Sequence, residues 1–234
     1  MRLMISVLSA TEARQALRCG ASLLDIKNPA EGSLGAQPPR VIREIRRLAP
    51  IAVEISAAIG DLPDLPGTAA LAALGAASSG ANYIKVGLLG PRTSTAAVAL
   101  LREVRQAVAD FSTSVIAAGY ADHGRTGTLD PRCLPGLAES AGIQGCMIDT
   151  AVKDGRTLFD FLKPQEVHAL AAEAHAAGLI FGAAGSLRKQ DLPVLRDAGV
   201  DVAGLRTAIC RHGRRGESLE PHLVRDLIAF LSGQ

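Results

Sequence analysis

Eight short apolar runs, separated by stretches of helical periodicity, most constrain what this chain can fold into. The runs span residues 3–8, 23–28, 52–58, 83–88, 114–120, 146–151, 179–184 and 202–207. Most are continuous rather than alternating, as expected of parallel strands covered on both faces. Between them the period changes. Val98, Leu101, Val104 and Val108 recur at helical spacing, with Arg102, Glu103, Arg105 and Gln106 on the other faces. Residues 164–177 open on Pro164, a favourable first-turn residue, and are followed by Gly178, a helix-ending glycine. Eight strand–helix units in 234 residues predict an α/β chain folded as a single-domain (β/α)8 TIM barrel over residues 1–234. The competing architecture is a doubly wound open sheet, which calls for a glycine-rich fingerprint after an early strand. The first connection, Ser9-Ala10-Thr11, carries no glycine. The Gly/Pro-rich stretch 30–39 reads as a loop at the functional end of the barrel, not as a domain boundary.

Composition narrows the function. Hydrophobic residues make up 48% of the chain but aromatics only 3%, with no Trp, so the core is built from Ala, Val, Leu and Ile. That scarcity argues against stacking on nucleic-acid bases. A net charge of +2 gives neither nucleic acid nor a membrane surface an electrostatic reason to bind. The tract Arg211-His212-Gly213-Arg214-Arg215 reads as a solvated loop. No apolar run approaches the ~20 residues that span a bilayer. Residues 1–8 are apolar but lack a cleavage-site pattern after them, so they read as strand one and the protein as cytoplasmic. Cysteines 19, 133, 146 and 210 form neither a CxxC pair nor a zinc spacing, and no residue cluster suggests a metal. Homo-oligomerisation stays open.

In such a barrel the chemistry sits at the C-terminal ends of the strands. Side chains two apart on a strand share a face, so Asp25 and Lys27 point the same way. Lys85 stands on the fourth strand, and Asp149 with Lys153 at the end of the sixth. A buried lysine is costly unless paired or used. Several lysines and aspartates converging on one site point to carbonyl chemistry through a lysine amine. The plainer alternative is a structural ring of ion pairs, although buried pairs seldom improve on apolar packing. Free lysine titrates near about 10.4. A second ammonium ~4 Å away, at an effective dielectric of ~20, disfavours its charge by about 4 kcal/mol. That corresponds to about three pK units. Asp25 opposes this shift, and distances decide the outcome.

The last two strand ends, Gly185-Ser186 and Arg206-Thr207, suggest a phosphate site. There Ser186 would cap a helix starting near Leu187, and Arg206 would grip the dianion with its planar fork. Otherwise Ser186 is only a cap and Arg206 only an ion-pair partner. Gly32-Ser33-Leu34-Gly35 either wraps a second phosphate with backbone amides or forms a flexible turn. His123 reads as loop polarity, and His168 and His175 as helix residues away from the site.

Several stretches together resemble one family: Asp25-Ile26-Lys27-Asn28-Pro29, Glu31-Gly32-Ser33-Leu34-Gly35-Ala36, Ser56-Ala57-Ala58-Ile59-Gly60-Asp61, Tyr83-Ile84-Lys85-Val86-Gly87, Ala117-Ala118-Gly119-Tyr120-Ala121-Asp122 and Asp149-Thr150-Ala151-Val152-Lys153-Asp154-Gly155. The chain is similar to (5-formylfuran-3-yl)methyl phosphate synthases over nearly its whole length, most loosely around residues 206–210. The resemblance implies a lyase that condenses two glyceraldehyde 3-phosphates, loses one phosphate and two waters, and makes the furan of methanofuran-type cofactors. It implies Lys27 as the Schiff-base residue and Lys85 as proton acceptor. Asp25, Asp149 and Lys153 match the family's other polar active-site positions. It implies a phosphorylated triose as the partner and no cofactor. The alternatives are another phosphosugar aldolase or isomerase barrel, and a non-catalytic barrel with a structural ionic ring.

Overall fold

The computed structural model describes residues 1–233. Its strands are β1 (Arg2–Val7), β2 (Leu23–Ile26), β3 (Glu54–Asp61), β4 (Tyr83–Gly87), β5 (Ser114–Tyr120), β6 (Gly145–Asp149), β7 (Ile180–Ala183) and β8 (Val202–Leu205). They close in sequence order into an all-parallel barrel, β8 pairing back onto β1. The helices are α1 (Ala10–Arg18), α2 (Pro39–Leu48), α3 (Pro66–Ala77), α4 (Ser94–Ala107), α5 (His123–Thr126), α6 (Leu134–Ala141), α7 (Pro164–Ala176), α8 (Asp191–Asp197) and α9 (Pro221–Ser232). The four-residue α5 is an addition inside the β5–α6 connection. No helix among the described residues is long and apolar enough to cross a membrane.

Local chemistry sets the helix starts. Ser9 Oγ accepts from the Glu12 amide and Thr93 Oγ1 from the Ala96 amide, each satisfying one orphan donor of a first turn. Proline stands in the first turn of α2, α3, α7 and α9, where its missing N–H is not needed. The expected helix near Leu187 is corrected: α8 begins at Asp191, and Ser186 sits in the left-handed region at φ 50° rather than at an N-cap.

Strand alternation divides the core in two. Outward residues such as Ile5, Ile26, Ile84, Val115 and Ile148 pack under the helices, against Ala13, Ala16, Ala73, Leu100 and Val104. Inward residues form a smaller group: Met4, Leu23, Ala58, Ile116, Ala118, Tyr120, Met147 and Ala184. A loop residue, Leu34, joins this inner group. A cavity of about 260 Å3 remains in the lower barrel, lined by Met4, Leu23, Ser56, Ile116 and Met147 and reaching Lys85. At the barrel's N-terminal end Arg2 pairs with Glu54, whose other oxygen accepts from the Tyr83 hydroxyl at 2.9 Å.

Most strands match the expected runs to within two residues at either end, and β3 departs furthest. β3 starts later than predicted and runs three residues further, to Asp61. Its register against β4 shifts between Ala58 and Asp61, and Gly60 takes φ 123°. This is a β-bulge, and only glycine adopts that φ without strain.

Candidate active site

Register places the first cluster. Ser6 pairs with Asp25, and Asp25 with Ser56, so all three face inward at one level. Lys85 pairs with Ala58 and Ile116 and faces inward from two strands away. Asp25 is fully buried between two ammonium groups, with Lys85 Nζ at 2.7 Å and Lys27 Nζ at 3.9 Å. Ser6 Oγ donates to its second oxygen at 3.0 Å. Burial alone would raise the Asp25 pKa, but Lys85, Lys27 and the bond from Ser6 hold it below the ordinary value.

The same distances resolve the balance at Lys27. Its amine falls to about 8, mainly through burial, with help from Lys85 and Lys153, against the opposing pull of Asp25 and Asp149. Asp25 sits closer to Lys85 than to Lys27, so its stabilisation of the Lys27 ammonium is the weaker one.

Asp149 and Lys153 form a second ion pair at 2.5 Å, four residues apart across the turn after β6. Lys153 Nζ also donates to Thr150 Oγ1 at 2.9 Å, and the Thr150 amide to Asp149 Oδ1 at 2.7 Å. Burial would raise the Asp149 pKa, yet Lys153 and Lys27 hold it at about 2. Asp122 shapes this turn: its carboxylate accepts from the amides of Ala151 (2.7 Å) and Val152 (2.9 Å). Lys27 therefore lies within the fields of both ion pairs, and the structure brings Asp25, Lys27, Lys85, Asp149 and Lys153 into one polar mouth.

The phosphate reading is redistributed. Arg206 is buried and engages every donor it has. It forms a two-pronged pair with Glu12 at 2.6 and 3.1 Å and donates to the carbonyls of Ser6, Arg215 and Glu217. No guanidinium N–H is left for a phosphate, so Arg206 is an anchor tying the loop after β8 to β1 and α1. Replacing Arg206 with Ala should therefore destabilise the fold by about 3–5 kcal/mol, because Glu12 becomes a buried unpaired charge. Denaturant unfolding measures this, and an unchanged midpoint would refute the anchoring role.

Beside this anchor lies a cavity of about 710 Å3, whose walls include Ser186, Thr207, Lys153, Arg188, Arg214 and Arg215. Gly185 lies behind Ser186 and is buried, and a Cβ there would press on Thr150 Cγ2 at 3.1 Å. The basic tract is only partly the solvated loop expected of it. Arg211, His212 and Arg214 are exposed, whereas Arg215 folds inward and donates to the Gly32 carbonyl at 3.1 Å. Its buried Nε–H has no partner among the described residues. The amides of Gly32–Gly35 do not form an open anion cup: the Leu34 amide is taken by Asp61 at 3.2 Å and the Leu34 side chain is fully buried.

His123 opens α5, and His168 and His175 lie on α7, His175 paired with Asp201 at 2.9 Å. Among the described residues no group of three or more His, Cys, Asp or Glu is arranged to hold a metal ion. Sequence reasoning passed over Ser6, although it lies two residues beyond Met4 on the inward face of β1. It gave no role to Asp61 or Tyr120, whose hydroxyl donates to Asp61. It placed Arg215 in solvent.

The family model described as 4-HFC-P synthase matches residues 3–228. A (5-formylfuran-3-yl)methyl phosphate synthase from Methanopyrus kandleri is 47% identical, covering 99% of this chain and 99% of that protein. One from Methanocaldococcus jannaschii is 44% identical, covering 97% and 98%. Among solved structures, the phosphoribosyl anthranilate isomerase of Thermus thermophilus superposes with a TM-score of 0.65 at 18% identity, covering 100% of this chain and 99% of its own, a likeness of fold alone. On the family match and the near full-length relatives, the chain belongs to the 4-HFC-P synthase family.

Proposed function

We propose that this protein condenses two molecules of glyceraldehyde 3-phosphate into (5-formylfuran-3-yl)methyl phosphate, releasing one phosphate and two waters, with Lys27 as the imine-forming residue. The product would supply the furan of a methanofuran-type cofactor. The observation that carries this reading is the buried Lys27–Asp25–Lys85 cluster, in which one amine is held near neutrality while the other is paired to a carboxylate.

The layout supports the following chemistry. The Lys27 amine adds to a triose carbonyl, and loss of water gives an iminium that withdraws electrons from the adjacent carbon. Lys85 passes a proton to Asp25 across their ion pair, and the amine so freed takes the proton from that carbon to give an enamine. The enamine attacks the aldehyde of the second triose. Elimination of phosphate, ring closure and dehydration then give the aromatic ring. Asp149 and Lys153 serve the proton transfers at the leaving oxygens. One phosphate sits in the basic cavity after β7 and β8, against Arg215, Ser186 and Thr207, whereas Gly185 packs against Thr150 and Leu158 and does not line it. Arg215, not Arg206, supplies the free guanidinium donor there.

Incubation with glyceraldehyde 3-phosphate should yield an ultraviolet-absorbing furan aldehyde and one phosphate per furan. A rearranged triose or a six-carbon sugar phosphate without furan would instead place the protein among aldolases or isomerases. A pH expectation accompanies this. Below about 8 the neutral Lys27 amine falls tenfold per pH unit, so single-turnover imine formation should rise with pH and level off above about 8. A flat profile from pH 6 to 9, read by borohydride trapping of the adduct, would contradict the assignment.

A further inference from the structure

The residue that the proposed chemistry does not use, yet which the fold goes out of its way to aim, is Asp61. Regular alternation after Ala58 would turn Asp61 outward. The bulge at Gly60 restores it to the inward face, paired in register with Gly87. Bulges beside functional sites commonly re-aim one side chain in this way.

Asp61 holds two things. One oxygen accepts from the buried Tyr120 hydroxyl, which fixes the carboxylate. The other accepts from the Leu34 amide at 3.2 Å. Leu34 belongs to a strap, residues 28–37, that leaves the end of β2 directly after Lys27. Ser33 Oγ donates to the Thr150 carbonyl at 2.8 Å, at the end of β6. In a barrel closed in sequence order, β2 and β6 stand opposite, so the strap crosses the mouth. Its central side chain, Leu34, is fully buried among the inner residues of the barrel. The packing at the latch is tight: a Cβ on Gly32 would collide with Asp61 Oδ2.

We infer that Asp61 is a positioning residue that seats the strap over Lys27, and that the seated strap retains the enamine until the second triose has reacted. The inference rests on the proposed reaction and extends it. An enamine of a triose phosphate has a competing route. Its carbon–oxygen bond to phosphate breaks, phosphate leaves with the electron pair, and the unsaturated imine takes up water and tautomerises. Release of methylglyoxal then regenerates the amine. The net change is one triose phosphate to one methylglyoxal and one phosphate, with no redox step. A roof that excludes water and fixes the leaving group suppresses that route.

Two variants test this: Asp61→Ala, which removes the latch, and Leu34→Ala, which removes the plug and leaves Asp61 in place. In the native protein phosphate and furan form one to one. In both variants phosphate should exceed furan by about tenfold, the excess appearing as methylglyoxal, while borohydride still labels Lys27. A purely structural role would lower phosphate and furan together, and a one-to-one ratio in both variants overturns the inference. Amide hydrogen exchange at Leu34 supplies an arm independent of turnover: it should accelerate by at least about tenfold in Asp61→Ala, and unchanged protection overturns the latch. If the native protein makes no furan, the reaction assignment fails, while the exchange result still decides whether Asp61 holds the strap.

Discussion

Replacing Lys85 with alanine should lower furan formation by about 10²–10⁴-fold while leaving Lys27 open to borohydride trapping with substrate. The two effects separate because the lysines stand at different points of one cluster. Lys85 Nζ lies 2.7 Å from Asp25 Oδ1, whereas Lys27 is 3.9 Å from the other oxygen. Without Lys85 the carboxylate has Lys27 as its remaining lysine partner, and the loss of a neighbouring cation strengthens the Lys27 ammonium. Imine formation near neutral pH should therefore slow, and its pH midpoint should move above about 8. Proton abstraction from the iminium should fail at every pH. Normal turnover in the Lys85→Ala protein would remove Lys85 from the mechanism.

Replacing Asp25 with asparagine should cost about 3–5 kcal/mol of stability as well as activity. The substitution keeps shape but leaves two buried ammonium groups without the carboxylate that both face. The loss should depend on pH in a direction fixed by linkage. A lysine with a lowered native pKa binds fewer protons when folded than when unfolded, so stability rises with pH across the interval between the two values. For Lys27 in the native protein that interval runs from about 8 to 10.5. In the Asp25→Asn protein its lower limit moves down, so unfolding free energy should recover as pH is raised toward 10.5. Asp149 behaves oppositely. Its native value of about 2 against 3.8 means its contribution is complete above 3.8 and is lost as pH falls toward 2. Urea unfolding at several pH values measures both. An Asp25→Asn protein as stable as the parent at pH 7 would show that the cluster carries no buried charge of consequence.

Particular residues show what could be read in the chain beforehand. The spacing of Asp25 and Lys27 sufficed to turn both inward, one on β2 and one just past its end, because strand period is local. The barrel followed from the count and continuity of the apolar runs. Asp61 was not legible in the same way, since a bulge at Gly60 reverses the alternation that a period of two assumes. Arg206 and Arg215 exchanged expectations for a long-range reason. Arg206 meets Glu12, 194 residues earlier in the chain, and that pairing consumes its fork. Arg215 is drawn inward by the strap, whose own anchor at Thr150 lies 117 residues from Ser33. Ser186 looked like a cap because serine after a strand often is one; its left-handed backbone removes it from that role.

The most direct test of the central claim is borohydride reduction of the protein with glyceraldehyde 3-phosphate, followed by peptide mapping. The account predicts one covalent three-carbon adduct, on the peptide containing Lys27, absent in Lys27→Ala and present in Lys85→Ala. No adduct under turnover conditions, or an adduct on Lys85 or Lys153 with Lys27 unmodified, would contradict it.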